Sequence, residues 1–146
     1  MRRYLLVLPF LIACAKAETP PADSAAMAPA ALTEADVAGT WSGTLMAEGS
    51  DSVLANWTAL ISGGTYRLTT TQSPKDTVSG TYMLEGDSSR YSAGPHADAS
   101  AGGAMVTDAG TSRFSGNQIT GAGITRLAEK PDSVVLRYRF SGTKQP

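Results

Sequence analysis

The chain has 146 residues, 12 basic and 13 acidic side chains and a net charge of −1, room for one modest domain and a leader. It has no basic run or patch, so nucleic-acid binding lacks an electrostatic footing. A single cysteine, Cys14, allows no intrachain disulfide, and stability must come from an apolar core and closed hydrogen bonding.

Met1-Arg2-Arg3 and the mostly apolar run from Tyr4 to Ile12 form the charged and hydrophobic parts of an export signal. The run is too short to span a bilayer, which needs about 20 apolar residues. Leu11-Ile12-Ala13-Cys14 closes it and resembles, in order, spacing and position, the lipobox of bacterial lipoproteins. The resemblance implies cleavage before Cys14, with residues 1–13 as signal peptide, and lipid joined to the Cys14 sulfur. The membrane, reached through that lipid, is then the first expected partner. Ala15 stands where such lipoproteins commonly carry an Asp when they stay at the inner membrane. The resemblance therefore implies a place in the cell envelope, on the periplasmic face of the outer membrane. Loss of Arg2 and Arg3 leaves 10 basic against 13 acidic groups, a net −3.

Residues 14–31 comprise Cys14 and an Ala/Pro-rich stretch with almost nothing to bury, which reads as a disordered tether. Pro20, Pro21 and Pro29 oppose an Ala-rich helix there. Leu32-Thr33-Glu34-Ala35-Asp36-Val37 has a capping Thr with Asp36 three residues on, and Leu32 and Val37 at staple spacing. One helical turn is expected at the entrance to a domain spanning 32–146.

From Gly39 the apolar period becomes two, the strand period. Trp41, Gly43 and Leu45 alternate with Ser42, Thr44 and Met46; Ala55, Trp57, Ala59 and Ile61 alternate with Asn56, Thr58 and Leu60. The same alternation continues through Tyr66, Tyr82 and Tyr138, broken by short Gly-, Pro- and Asp-rich turns. Eight strands are predicted, at 39–46, 51–61, 65–71, 77–84, 88–94, 104–114, 118–127 and 133–141. Asp51, Asp76, Asp87 and Asp132 precede strands and read as Asx turns, not metal ligands. An antiparallel meander of this kind hides its edges by closing on itself, so the fold class is all-β: an eight-stranded antiparallel up-and-down β-barrel. The tight turns disfavour a sandwich. Short strands and dispersed aromatics disfavour a barrel that spans the outer membrane.

Gly39-Thr40-Trp41 at the start of the first strand, with a helical turn before it, resembles the Gly-x-Trp signature of lipocalins and their calycin relatives. The resemblance implies that Trp41 closes the barrel base beneath an Arg of the last strand, Arg137 or Arg139. It bears on the fold more than on any ligand; a small hydrophobic ligand is expected from the make-up of the barrel interior instead. Lipocalins are commonly longer and often carry a C-terminal helix, whereas this chain stops soon after its last strand.

The one histidine, His96, lies in Gly94-Pro95-His96-Ala97-Asp98, a small-residue stretch that reads as a solvated loop. No Gly-x-Ser-x-Gly turn supports a hydrolase. One His and scattered carboxylates make no metal site, Gly102-Gly103 lacks the Lys-Ser/Thr of a phosphate loop, and no cofactor is expected. The expectation is a protein that is not an enzyme. On the inward face, Trp57, Tyr66, Tyr82 and Tyr138 are the candidate ligand-binding side chains, interspersed with Gly43, Ala55, Ala59, Gly80, Gly121 and Gly123. These small residues leave either an aromatic-lined pocket or, by fitting between large neighbours, a solid core. The corresponding functions are a ligand-binding envelope lipoprotein and a structural or interaction module that works through its exterior.

Overall fold

The computed structural model describes residues 31–146. The signal peptide, Cys14 and nearly all of the tether lie outside the described residues. One turn of helix, α1 (Glu34–Val37), leads into eight strands. They are β1 (Gly39–Ala47), β2 (Val53–Ser62), β3 (Thr65–Thr70), β4 (Val78–Glu85), β5 (Ser88–Asp98), β6 (Ala104–Ser115), β7 (Gln118–Leu127) and β8 (Lys130–Lys144). Each pairs antiparallel with the next, and β1 pairs with β8, so the sheet is a closed up-and-down barrel.

Alternation produces this shape directly. On β2, Ala55, Trp57, Ala59 and Ile61 are buried while Leu54, Asn56, Thr58 and Leu60 face out. The outer surface is rich in Ser, Thr and Arg, including Arg90 and Arg113, unlike the apolar outer band of a membrane-spanning barrel. The inward glycines seat aromatic rings from neighbouring strands. A Cβ on Gly80 would stand 2.4 Å from the Tyr66 ring, one on Gly121 2.3 Å from Phe140, and one on Gly123 2.3 Å from the Tyr91 hydroxyl. Each ring lies across a strand that has no side chain to push it away, which lets bulky residues share a narrow interior.

The ends of the barrel differ. At one, α1 lies against the opening. Asp36 accepts from the Thr33 N–H (2.8 Å) and hydroxyl (2.7 Å), the backward half of the expected capping box. Leu32 packs toward the core and its N–H donates to the Gly86 carbonyl (2.8 Å). The Glu34 carboxylate accepts from the Gly63 N–H (2.5 Å) and the Tyr82 hydroxyl (2.5 and 2.6 Å). Beneath the helix, Val37 and Trp41 are wholly buried among Ile61, Phe114 and Ile119. At the opposite end the β3–β4 and β5–β6 connections surround an open mouth.

Three expectations are corrected. Arg137 and Arg139 do not close the base over Trp41: the alternation that turns Tyr138 and Phe140 inward turns both arginines outward, toward the other end. Arg139 binds the Ser50 carbonyl (2.9 Å) and Asp51 (2.5 Å) there. The last strand runs to Lys144, not 141, and places Lys144 opposite Trp41 with Nζ 5.7 Å from the ring centroid. The cation–π role falls to Lys144, which also donates to the Asp36 carbonyl (2.9 Å). Second, residues 94–98 are strand, not loop: β5 continues past an irregularity between Ala93 and His96. Third, Asp51 and Asp87 turn to Arg139 and Arg113. The Asx pattern occurs instead at Asp98, whose Oδ1 accepts from Ser100 and Ala101 N–H and starts the 3-10 turn Ala99–Ala101.

Candidate functional site: the barrel cavity

The interior is not solid. A cavity of about 370 Å³ extends from the plug of α1 to the open mouth. This is the size that takes one small organic molecule. Four of its walls are aromatic and fixed by one another. Trp57 meets Phe140 edge to face (centroids 5.9 Å), Phe140 meets Tyr91 (5.9 Å), and Tyr91 meets Tyr66 (6.2 Å). Trp57 donates its indole N–H to the Thr44 carbonyl (3.1 Å), which holds the ring against the wall. Leu45, Leu68 and Leu136 complete the apolar lining.

All four candidate ligand-binding residues line the cavity, at different depths. Tyr82 lies nearest the plug, with its hydroxyl committed to Glu34. Burial, then the neighbouring carboxylate, pushes its phenol up to about 12. Tyr138 and Tyr91 bring their hydroxyls within 3.1 Å, and Tyr91 Oη also donates to the Ala122 carbonyl (3.2 Å). Burial pushes Tyr91 up to about 12 and raises Tyr66 and Tyr138 as well. These phenols therefore stay protonated at any ordinary pH and act as hydrogen-bond donors and acceptors inside an apolar chamber.

Two further polar residues share this wall. His96 is not a solvated loop residue: only 18% of its side chain is exposed, and Nε2 lies 3.3 Å from Asp108 Oδ2. Asp108 Oδ1 accepts from Thr125, which is 3% exposed. His96 Nδ1 faces the Gly94 carbonyl at 3.1 Å. Burial raises the Asp108 carboxyl above the ordinary carboxylate range, with Thr125 and His96 pulling the other way. Ser89 and Ser112, also on the lining, hydrogen-bond each other (2.7 Å) and not His96. His96 thus faces a carboxylate, not a nucleophile, and the geometry is that of a polar anchor in an apolar chamber.

The raised Asp108 pKa has a sign that can be measured. A carboxyl whose folded pKa exceeds its unfolded value of about 4 costs the fold stability when ionised, and that cost fades as pH falls through the folded pKa. Asp108→Asn keeps an oxygen for Thr125 and can offer His96 a donor. The variant should have a higher urea midpoint than the parent at pH 8, with the difference shrinking on acidification and gone below about pH 4. A midpoint lowered equally at both pH values would show that the carboxylate is a net stabiliser.

Comparison of the chain with protein-family models, with curated proteins and with solved structures gives no match. The eight-stranded closed antiparallel barrel fits a lipocalin-like architecture.

Proposed function

We propose that this is a lipid-anchored lipoprotein of the cell envelope whose lipocalin-like barrel holds a small, largely apolar molecule, without catalysis. The observation that carries the binding reading is the aromatic chamber of about 370 Å³, open at one end and plugged at the other. A core built only to hold strands together gains nothing from that void, because close packing would stabilise it further. Anchoring rests on Leu11-Ile12-Ala13-Cys14. The described chain enters the barrel beside α1, at the plugged pole, so the tether joins the barrel at the end away from the mouth.

One experiment tests both halves. The protein is isolated from its own envelope, as parent and as Cys14→Ser, after fatty-acid labelling. The parent should carry label and a reproducible co-purifying small molecule, seen by mass spectrometry; Cys14→Ser should lose the label and retain its uncleaved signal. Label that survives Cys14→Ser refutes the anchor, and parent preparations with an empty barrel refute the ligand.

A further inference from the structure

The charge of the cavity wall is one-sided. Among the described residues no Lys or Arg lines it; besides the phenols, its ionisable groups are His96, Asp76, Asp98 and Asp108. A carboxylate entering such a chamber sheds its water and finds no cation to replace it. His96 does not supply one. The Gly94 carbonyl can only accept, so Nδ1 carries a proton. Nε2 lies 3.3 Å from Asp108 Oδ2, so a carboxylate of the protein already stands against that side of the ring. Asp76 and Asp98 at the mouth repel an approaching anion.

Acceptors, by contrast, are plentiful. The Asp108 oxygens and the phenolic oxygens lie on the wall of the cavity. Unlike Tyr82, Tyr91 and Tyr138, Tyr66 makes no hydroxyl hydrogen bond to another described residue, and it meets Tyr91 only edge to face. Burial that disfavours the ionised form of Asp108 is relieved by a donor arriving from a ligand.

Resting on the reading of the barrel as a ligand holder, we infer that the cavity selects an uncharged or cationic amphiphile whose head group donates hydrogen bonds. An amine or an alcohol enters with its head near Asp108 and Tyr66 and its apolar body against Trp57 and Phe140. The carboxylate lipid of the same length is turned away.

The test uses the processed chain from residue 15 onward, made without its signal and lipid, so that neither lipid nor detergent is in the assay. Dodecylamine, dodecanol and dodecanoate, each below its micelle threshold at pH 8, are titrated against tryptophan fluorescence. The amine and the alcohol should bind at least about tenfold more tightly than the carboxylate. The alcohol separates head-group chemistry from simple attraction of a cation to a net negative protein. In Asp108→Asn, folded by circular dichroism, the amine-to-carboxylate ratio should fall by about threefold or more. Dodecanoate binding as tightly as the other two, or a ratio unmoved in Asp108→Asn, overturns head-group selection and leaves the barrel a ligand holder. Failure of all three probes to bind overturns both readings.

Discussion

Trp41→Ala should lower the stability of the barrel by about 3–5 kcal/mol, the upper range for truncating a buried aromatic. The side chain is wholly buried, and its indole N–H donates to the Val37 carbonyl at 2.8 Å. Its ring meets Phe114 edge to face at 5.4 Å and lies 5.7 Å beneath the Lys144 ammonium. Truncation removes all three contacts. It also leaves a void beneath α1 and orphans the Val37 carbonyl there. A domain of this size has roughly 5–15 kcal/mol in total, so the variant should unfold at much lower urea, followed by far-UV circular dichroism. A loss under about 1.5 kcal/mol would mean that the plug is not what holds the base of the barrel together.

Trp57→Ala should cost about 2–3 kcal/mol, less than Trp41→Ala although the residue removed is the same. Trp57 is nearly as buried and also has a hydrogen-bonded indole, but one face of its ring borders the existing cavity. Truncation widens a chamber already open to water at its mouth, and solvent can occupy the new space. The larger effect is on recognition. Trp57 forms the wall with Phe140, so loss of its ring should abolish the fluorescence response to an apolar ligand and weaken binding by about tenfold or more. Trp41, beneath α1 and outside the cavity lining, should report little. Equal destabilisation by both substitutions, with no ligand response in the parent, would point to an interior that works as a solid core.

The period-two alternation made the strand number, the order and the inward faces of β1, β2 and β8 legible, because large apolar residues there mark every second position. Phasing failed where such residues are sparse. Tyr91 is the only aromatic or large apolar side chain in residues 88–94, and its part in the aromatic wall with Phe140 was not read from the sequence. Phe114 and Ile119, which seal the plug, were missed in the same way. His96 was missed because the predicted strand ended at 94 and left it in a loop, whereas β5 runs on to Asp98. The irregularity between Ala93 and His96 inserts a residue, so the inward face passes from Tyr91 and Ala93 to His96, and strict alternation across it misplaces every later side chain. Pro95 was the available signal, since proline within a strand marks an edge or a bulge. The exchange of Arg137 and Arg139 for Lys144 has a simpler origin: strict alternation already placed both arginines outside, and the family likeness was allowed to outweigh it.

The pairing of β1 with β8 also governs how the protein comes into being. Trp41 faces Lys144, so the first strand's second neighbour is the last strand of the barrel to be made. Until β8 arrives, the sheet has two raw edges, β1 and whichever strand was formed last, each a template for another molecule. Closing the ring draws together the most distant parts of the sequence, a loop whose entropy is charged before any contact repays it. Assembly should therefore be slow relative to a helical protein of equal length, and crowding of unfinished chains should divert it into aggregates. A chain that meets few copies of itself while folding escapes that hazard, whereas overproduction in one compartment invites it.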